Sequence, residues 1–98
     1  MFINYDRTVT IKIPNGSYVD GKPEYNEITP MAFRTEVSQF DLNLFGKVKI
    51  SRIYLVDTTS EILSDSIIID GNDKTTVAAA KPCRSVTGEI ICMRVGSN

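Results

Sequence analysis

Hydrophobic and polar residues alternate along several short segments of this 98-residue chain, a pattern that is typical of half-buried β-strands. Residues 8–13 have a valine and two isoleucines at every second position, which predicts an antiparallel strand with one apolar face. Residues 31–37 alternate in the same way. In this second segment we expect Met31 and the other odd-numbered side chains to face the core, and Ala32 and the other even-numbered side chains to face solvent.

Further strands are predicted in the second half of the chain. Residues 47–57 form the longest candidate, and its apolar positions change parity near Ser51, which indicates a β-bulge or burial of both faces. Residues 77–80 are valine and alanines between polar residues and a proline, which leaves no room for a helix and favours a strand. Residues 90–95 are predicted as the last strand, and residues 96–98 as a tail.

A β-hairpin is the clearest local prediction, and it covers residues 67–77. Three isoleucines lead into Asp70-Gly71, and a second segment of β-prone residues follows Asp73. We expect a two-residue turn, Gly71-Asn72, in which both central residues have positive φ. Aspartates at such turns hydrogen-bond to the backbone, so we interpret Asp70 and Asp73 as turn residues and not as an acid–base pair or a calcium site.

Two connections are longer than a hairpin requires, and we expect them to carry the function. Residues 14–27 contain two prolines, two glycines and the tyrosines Tyr18 and Tyr25, a composition typical of a loop. Residues 38–46 contain four large apolar side chains. We expect a short strand, a turn or one to two turns of helix there, which either covers one end of the core or forms a patch that another subunit buries. The residues that we expect at interfaces or in a channel are Tyr18, Tyr25, Phe40, Asp41, Leu42, Leu44 and Phe45.

Together these segments predict an all-β fold, a small antiparallel β-barrel of about six strands with two long loops. A β-sandwich is the other arrangement that they allow, but closure into a barrel is favoured because it removes exposed edges from a small sheet. We assign residues 1–98 to a single domain, since a chain of this length has room for one core. Small domains of this kind have modest stability and gain more by association.

The charge of the chain argues against general nucleic-acid binding. Its formal net charge is −1, whereas such proteins bind phosphates through clustered cations. No group of basic residues is denser than Lys47, Lys49 and Arg52, and isolated charges of this kind are typical of a solvent-facing strand. We expect no membrane partner either, because no apolar segment approaches the ~20 residues of a spanning helix.

The sequence contains no histidine, which removes the commonest general base and a customary zinc ligand. Its two cysteines are Cys83 and Cys92, which we expect to be reduced and partly buried thiols. A phosphate-binding glycine loop is not predicted, because Gly16 and Gly21 are isolated and no helix start follows them. We therefore expect no enzyme activity, no metal and no cofactor.

Five segments, taken in order, carry a resemblance to a known family. They are the opening strand at residues 8–11, the strands at residues 31–37 and 46–56, the passage of residues 62–71 and the return strand at residues 77–82. The fourth segment combines a leucine, a short gap, an aspartate and a hydrophobic run into Asp-Gly, and the fifth ends at a proline. In these features the chain resembles the head-closure (stopper) and head–tail joining proteins of tailed bacteriophages.

Two positions depart from the pattern of that family. Its return strand usually carries an aromatic residue soon after the turn, where this chain has Lys74-Thr75-Thr76. It often has another aromatic residue after the proline, where this chain has Cys83 after Pro82. These departures leave the subfamily open, so adaptor and tail-completion proteins of the same neck remain alternatives.

The resemblance implies a structural virion protein of the phage neck that catalyses no reaction. Copies would form a ring with each other beneath the portal and adaptor proteins and surround the packaged double-stranded DNA without sequence specificity. The ring would close the filled head and offer an attachment surface to the tail tube or tail-terminator protein. Its place would be the head–tail interface of the virion, after assembly in the host cytoplasm. An OB-like or SH3-like small barrel that binds other molecules is the alternative from a different class, and a nucleic-acid binder of that kind would need a basic face with interleaved aromatic residues.

Overall fold

The computed structural model describes residues 4–46 and 48–98. These residues contain eight antiparallel strands and one short helix. In chain order the elements are β1 (Arg7–Thr8), β2 (Thr10–Val19), β3 (Lys22–Ile28), β4 (Met31–Thr35), α1 (Gln39–Phe45), β5 (Arg52–Val56), β6 (Ile67–Asp70), β7 (Asp73–Arg84) and β8 (Ile90–Ser97). The strands pair in the order β1-β4-β5-β8-β7-β6-β2-β3. The predicted all-β antiparallel fold is confirmed. The strands number eight instead of about six, and the pairing order is open, with β1 and β3 at its two ends.

The sheet has two parts. One consists of β1, β4, β5, β8 and most of β7, and the other consists of β2, β3, β6 and the start of β7. Two long stretches of chain run through both parts. Residues 73–76 of β7 pair with β6, and the rest of β7 pairs with β8. In the same way β1 pairs with β4 and β2 pairs with β6, although Val9 alone separates β1 from β2. The buried side chains of both parts belong to one cluster, so the sheet curves around a common core. The members of this core are Val9, Ile11, Ala32, Tyr54, Val56, Ile62, Ile68, Val77, Met93 and Val95.

The first two side chains of β4 point in the opposite directions to those predicted. Ala32 is fully buried in the core, whereas Met31 is 41% exposed. The reason lies in Arg34, which shares the face of Ala32 and is neutralised by Asp70 and Asp73 from the β6–β7 hairpin. A charged residue that is paired in this way does not mark the solvent side of a strand, so the alternation alone assigns the wrong face to the core.

The predicted hairpin at residues 67–77 is confirmed, since β6 and β7 pair with Asp70 opposite Asp73. The turn between them differs from the prediction, because Gly71 has a φ of 62° whereas Asn72 has no positive φ. A positive φ at the first central residue alone is typical of a type II′ turn, which favours glycine at that position. Asp70 is also more than a turn residue, because its carboxylate binds side chains of other strands.

Residues 14–27 do not form the long loop that their composition predicts. They continue β2 and form β3, and the two strands are joined by Asp20-Gly21 with φ values of 52° and 78°. Two consecutive positive φ values are typical of a type I′ turn, for which Asp-Gly is a favoured pair. The two prolines are tolerated because one adjoins a register shift in β2 and the other lies on the edge strand β3.

Residues 38–46 contain the helix α1 and its two caps, so a helix, the last of the three conformations predicted for this segment, is the one observed. Ser38 and Asp41 form a capping box at its start, in which each side chain accepts a hydrogen bond from the backbone of the other residue. Gly46 ends the helix with a φ of 67°, and its N–H donates a 3.0 Å hydrogen bond to the carbonyl of Leu42. The sequence predicted the segment as a unit but left its conformation open.

Two strand boundaries also differ from the prediction. The strand expected at residues 47–57 is confirmed only as β5, and Lys47 lies outside the described residues. Residues 96–98 are not a free tail, because β8 includes the first two of them. Gly96 packs closely on Ile50, since a Cβ atom added to the glycine would lie 2.7 Å from the Cγ2 of that isoleucine.

Candidate functional site

The outer half of the β2–β3 hairpin projects from the rest of the protein. β2 pairs with β6 only near its start, and every residue from 15 to 24 is exposed. We call residues 15–24 the arm. The molecule measures 44 Å along its longest axis against 27 and 26 Å along the other two. In the arm, Tyr18 is 72% exposed and Val19 is 52% exposed.

The local sequence explains why the arm leaves the sheet. The side-chain carbonyl of Asn15 accepts a 2.9 Å hydrogen bond from the N–H of Ser17, and the register of β2 shifts between Pro14 and Tyr18. Such a bulge bends its strand and increases the local twist. A two-stranded ribbon without a core is marginally stable in water, so an arm with exposed apolar side chains is a candidate binding surface.

The structure separates the two predicted tyrosines. Tyr18 lies opposite Pro23 in the arm, whereas Tyr25 is half-buried nearer the sheet and lies opposite Pro14. Of this pair, Tyr18 is therefore the side chain that is open to solvent contact.

Helix α1 divides the predicted residues 40–45 between an exposed and a buried side. Phe40 is exposed to solvent over 61% of its surface, Leu42 is also exposed, and Leu44 is half-buried. Asp41 and Phe45 are buried. The sequence left open whether the two phenylalanines cover the core or face a partner, and the structure gives them different positions.

Asp41 joins α1 to β8 through a partly buried ion pair. Its carboxylate accepts hydrogen bonds from the N–H of Ser38 at 2.9 Å, from the hydroxyl of Ser38 at 2.8 Å and from Nε of Arg94 at 2.5 Å. Burial on its own raises the pKa of Asp41, but the hydrogen bonds from Arg94 and Ser38 outweigh it and lower the pKa below its ordinary value. The guanidinium carbon of Arg94 also lies 5.0 Å from the ring centre of Phe40, so the pair helps to position the exposed ring.

A surface groove separates α1 from the β7–β8 hairpin. It has a volume of about 330 Å³. We call this site the groove, and its lining residues are Phe40, Leu44, Pro82, Cys83, Arg84, Ile91 and Arg94. The exposed Val86, in the turn between β7 and β8, extends the apolar surface on the side of Ile91 and Arg84. Apolar walls with a few cationic groups are suited to an apolar or aromatic side chain that is followed by an acidic one.

Sequence reasoning found the helix side of the groove and missed the strand side. Ile90, Ile91, Cys92 and Met93 are consecutive apolar residues, and a strand that is apolar on both faces requires cover on both. In the structure Cys92 and Met93 are buried, whereas Ile91 remains exposed in the groove. The run of apolar residues was therefore the available signal for a second surface.

Charged residues form a separate cluster at the β6–β7 turn. Arg7 donates a 2.9 Å hydrogen bond to Asp70, and Arg34 and Arg52 lie 3.2 Å and 3.7 Å from Asp73. The arginines belong to β1, β4 and β5, so the cluster ties the turn to the other part of the sheet. Its charges are paired with one another, and we interpret it as structural.

The two cysteines face each other across β7 and β8 as free thiols. Burial and the neighbouring Cys83 raise the pKa of Cys92 to about 12, so its thiol is protonated at neutral pH and is a poor nucleophile. In the described ranges, no three acidic or cysteine side chains are grouped closely enough to hold a metal ion.

Comparisons of the chain with protein-family models, with curated proteins and with solved structures gave no match. Within residues 4–46 and 48–98, no helix is long and apolar enough to cross a membrane. The arm and the groove are therefore the observations from which a function is inferred.

Proposed function

We propose that this chain is a structural assembly protein of the tailed-phage neck, whose copies form a ring beneath the portal and adaptor proteins. The observation that carries the proposal is the presence of two different exposed apolar surfaces, the arm and the groove, on one small domain. A closed ring requires heterologous contacts, in which one face of a subunit binds a different face of the next. A protein that binds a single partner needs only one such surface.

We also propose that the part of the subunit outside the arm forms a small barrel. Val9 alone separates β1 from β2. β1 pairs with β4 near one end of the strand order, and β2 pairs with β6 near the other end. The arginine–aspartate cluster joins the same two regions by side-chain contacts. These features support a rigid body that holds the arm and the groove at fixed positions, as a ring with one defined diameter requires.

The charge of the subunit is compatible with DNA that passes through the ring without being bound tightly. Of the described cations, Arg7, Arg34, Arg52 and Arg94 are already paired with aspartates. Affinity for DNA comes largely from free cations that neutralise phosphates. With a formal net charge of −1 per chain, a ring of such subunits has no excess of cations, so it can surround packaged double-stranded DNA without sequence specificity and release it when the tail opens.

The experiment that tests this proposal is reconstitution with the neighbouring neck proteins of the same phage. The purified chain is mixed with portal–adaptor complexes, and the particles are imaged by electron microscopy. We expect a ring of added density on the adaptor side, which the tail tube or tail-terminator protein then binds. Density on the tail alone would favour a tail-completion protein, and binding to neither complex would refute a role in the neck.

A further inference from the structure

The arm of one copy does not fill its own groove. Tyr18 is 72% exposed, and the lining of the groove contains no arm residue. The two surfaces therefore remain available at the same time on each copy. Since both expose apolar area to water, covering one with the other lowers the free energy of both.

The charges near the two surfaces are complementary. The arm contains Asp20 and Glu24 against Lys22, which gives a net charge of −1, and neither acid forms an ion pair within the described residues. On the side of the groove, Lys81 and Arg84 also form no ion pair in that part of the chain, and Glu89 is the acidic residue of the adjoining turn. Arg84 uses one nitrogen to bind the carbonyl of Gly88 at 2.9 Å, which leaves its other donors free.

We propose that the arm of one copy binds in the groove of the next copy, so that the subunits join head to tail. Tyr18 enters between Phe40 and Ile91, and Asp20 pairs with Arg84. This inference rests on the proposed function, because it names the contact that would build the ring. An aromatic side chain in an apolar groove with a charged pair at its rim is the usual composition of a binding hot spot.

Each contact of this kind is small. The arm contributes one aromatic and one aliphatic side chain, which is far below the area of a permanent interface. We therefore expect isolated subunits to associate weakly, and rings to form where neck partners hold copies side by side. In that setting neighbouring surfaces reach effective concentrations in the millimolar range, which compensates for low affinity.

The test uses two variants of the full chain, each with one surface removed. Tyr18→Ser with Val19→Ser removes the apolar arm and keeps the groove. Phe40→Ser with Ile91→Ser removes the apolar groove and keeps the arm. All four side chains are exposed, so both variants should keep the circular dichroism spectrum of the wild type. Leu63→Ser is the matched control, because Leu63 is similarly exposed and belongs to neither surface.

The masses of the particles are measured by sedimentation velocity at concentrations up to about 1 mM, the range that a ring provides. We expect the wild type and Leu63→Ser to form species larger than dimers, and each surface variant alone to stay monomeric. An equal mixture of the two surface variants should form dimers and nothing larger, because it has one intact arm and one intact groove per pair. A monomeric mixture, a surface variant that assembles like the wild type, or a monomeric wild type would each overturn the proposal.

Charge reversal provides a second test of the same contact. Asp20→Arg and Arg84→Asp should each weaken association about fivefold, and their combination in one chain should restore it. Failure of the combination to restore association would contradict the Asp20–Arg84 pair. The result is also distinguishable from the proposed function. If the arm variant still forms rings on portal–adaptor complexes, the head-to-tail contact is refuted and the neck role stands. If the mixed variants form dimers but the wild type binds no neck complex, the neck role is refuted and the contact stands.

Discussion

The hydroxyl of Tyr54 donates a 3.1 Å hydrogen bond to the carboxylate of Asp70, which joins β5 to the turn between β6 and β7. The same carboxylate oxygen accepts a 2.9 Å hydrogen bond from Arg7 of β1, so three strands meet at one acceptor. Tyr54 is fully buried, and burial raises the pKa of its hydroxyl, which keeps it a donor at neutral pH. Asp70, which the sequence assigns to a turn, therefore also connects the two parts of the sheet.

Asp70→Asn should lower the free energy of unfolding by ~1.5–3 kcal/mol, the usual worth of hydrogen bonds to a charged group. The amide still accepts a hydrogen bond from Tyr54 but no longer neutralises Arg7 and Arg34. Urea unfolding at pH 7 measures the loss. Asp6→Asn is the matched control, because Asp6 also binds Arg7 but its side chain is 50% exposed. Equal losses for both variants would show that Asp70 has no special structural role.

The lowered pKa of Asp41 predicts how the free energy of unfolding changes in acid. Its pKa is lowered in the folded state, so the carboxylate stabilises the fold above its unfolded value of about 3.9, and this contribution is lost as the pH falls through the folded pKa. We expect the unfolding free energy of the wild type to fall as the pH drops below about 4. Asp41→Asn should be less stable at pH 7 and should have a shallower pH dependence in that range, measured by urea unfolding at several pH values. An unchanged slope would show that Asp41 has no lowered pKa.

Gly71→Val should destabilise the fold by ~1–3 kcal/mol, because a β-branched residue is strained at the φ of 62° that the turn requires. A Cβ atom at this position would meet no atom of the described residues within 4 Å, so the loss reports backbone strain and not a clash with them. Gly71→Asn should lose less, since asparagine adopts positive φ more readily. Thermal unfolding distinguishes the two variants, and equal melting temperatures for wild type and Gly71→Val would contradict the type II′ turn.

Gly96→Ala tests the packing of β8 on the segment before β5. The added Cβ atom would lie 2.7 Å from the Cγ2 of Ile50, so we expect a loss of ~1–3 kcal/mol from overpacking. Ile50→Ala removes that methyl group. In a double-mutant cycle the two substitutions together should therefore cost less than the sum of the single losses. Strict additivity would show that the two residues do not touch.

Local signals in the sequence were sufficient for parts of the fold that the composition obscured. Asp20-Gly21 between β-prone residues is a hairpin signal as strong as the one at Asp70-Gly71, but the prolines and glycines around it favoured a loop. Ser38-Gln39-Phe40-Asp41 likewise matches a helix-capping pattern before an apolar run. The conformation predicted for the first segment was wrong, and the conformation of the second was left open.

Other features have no local signal, because they depend on contacts between distant strands. Arg34 lies on the same face of β4 as the buried Ala32, where Asp73, 39 positions further along the chain, pairs with it. The groove lies between α1 and β8, which are joined by the pair of Asp41 with Arg94, 53 positions away. Alternation and turn chemistry describe a chain over a few residues, so they predict strands and hairpins but not which charged residues become paired.

Substitutions at Phe40 and Phe45 distinguish a role of α1 in binding from its role in packing, because one side chain is exposed and the other is buried. Phe45 is buried, so Phe45→Ser should cost ~3–5 kcal/mol and lower the amount of folded protein. Phe40 is 61% exposed and contacts Arg94, so Phe40→Ser should cost no more than ~1 kcal/mol. On the proposed neck role, Phe40→Ser should nevertheless reduce the yield of infectious, DNA-filled, tailed particles, whereas the exposed control Leu63→Ser should not. Unfolding curves establish the first difference, and particle counts by electron microscopy and plaque assay establish the second. If Phe40→Ser yields normal particles, the exposed side of α1 is not an interface; if it unfolds the protein, Phe40 contributes to the core.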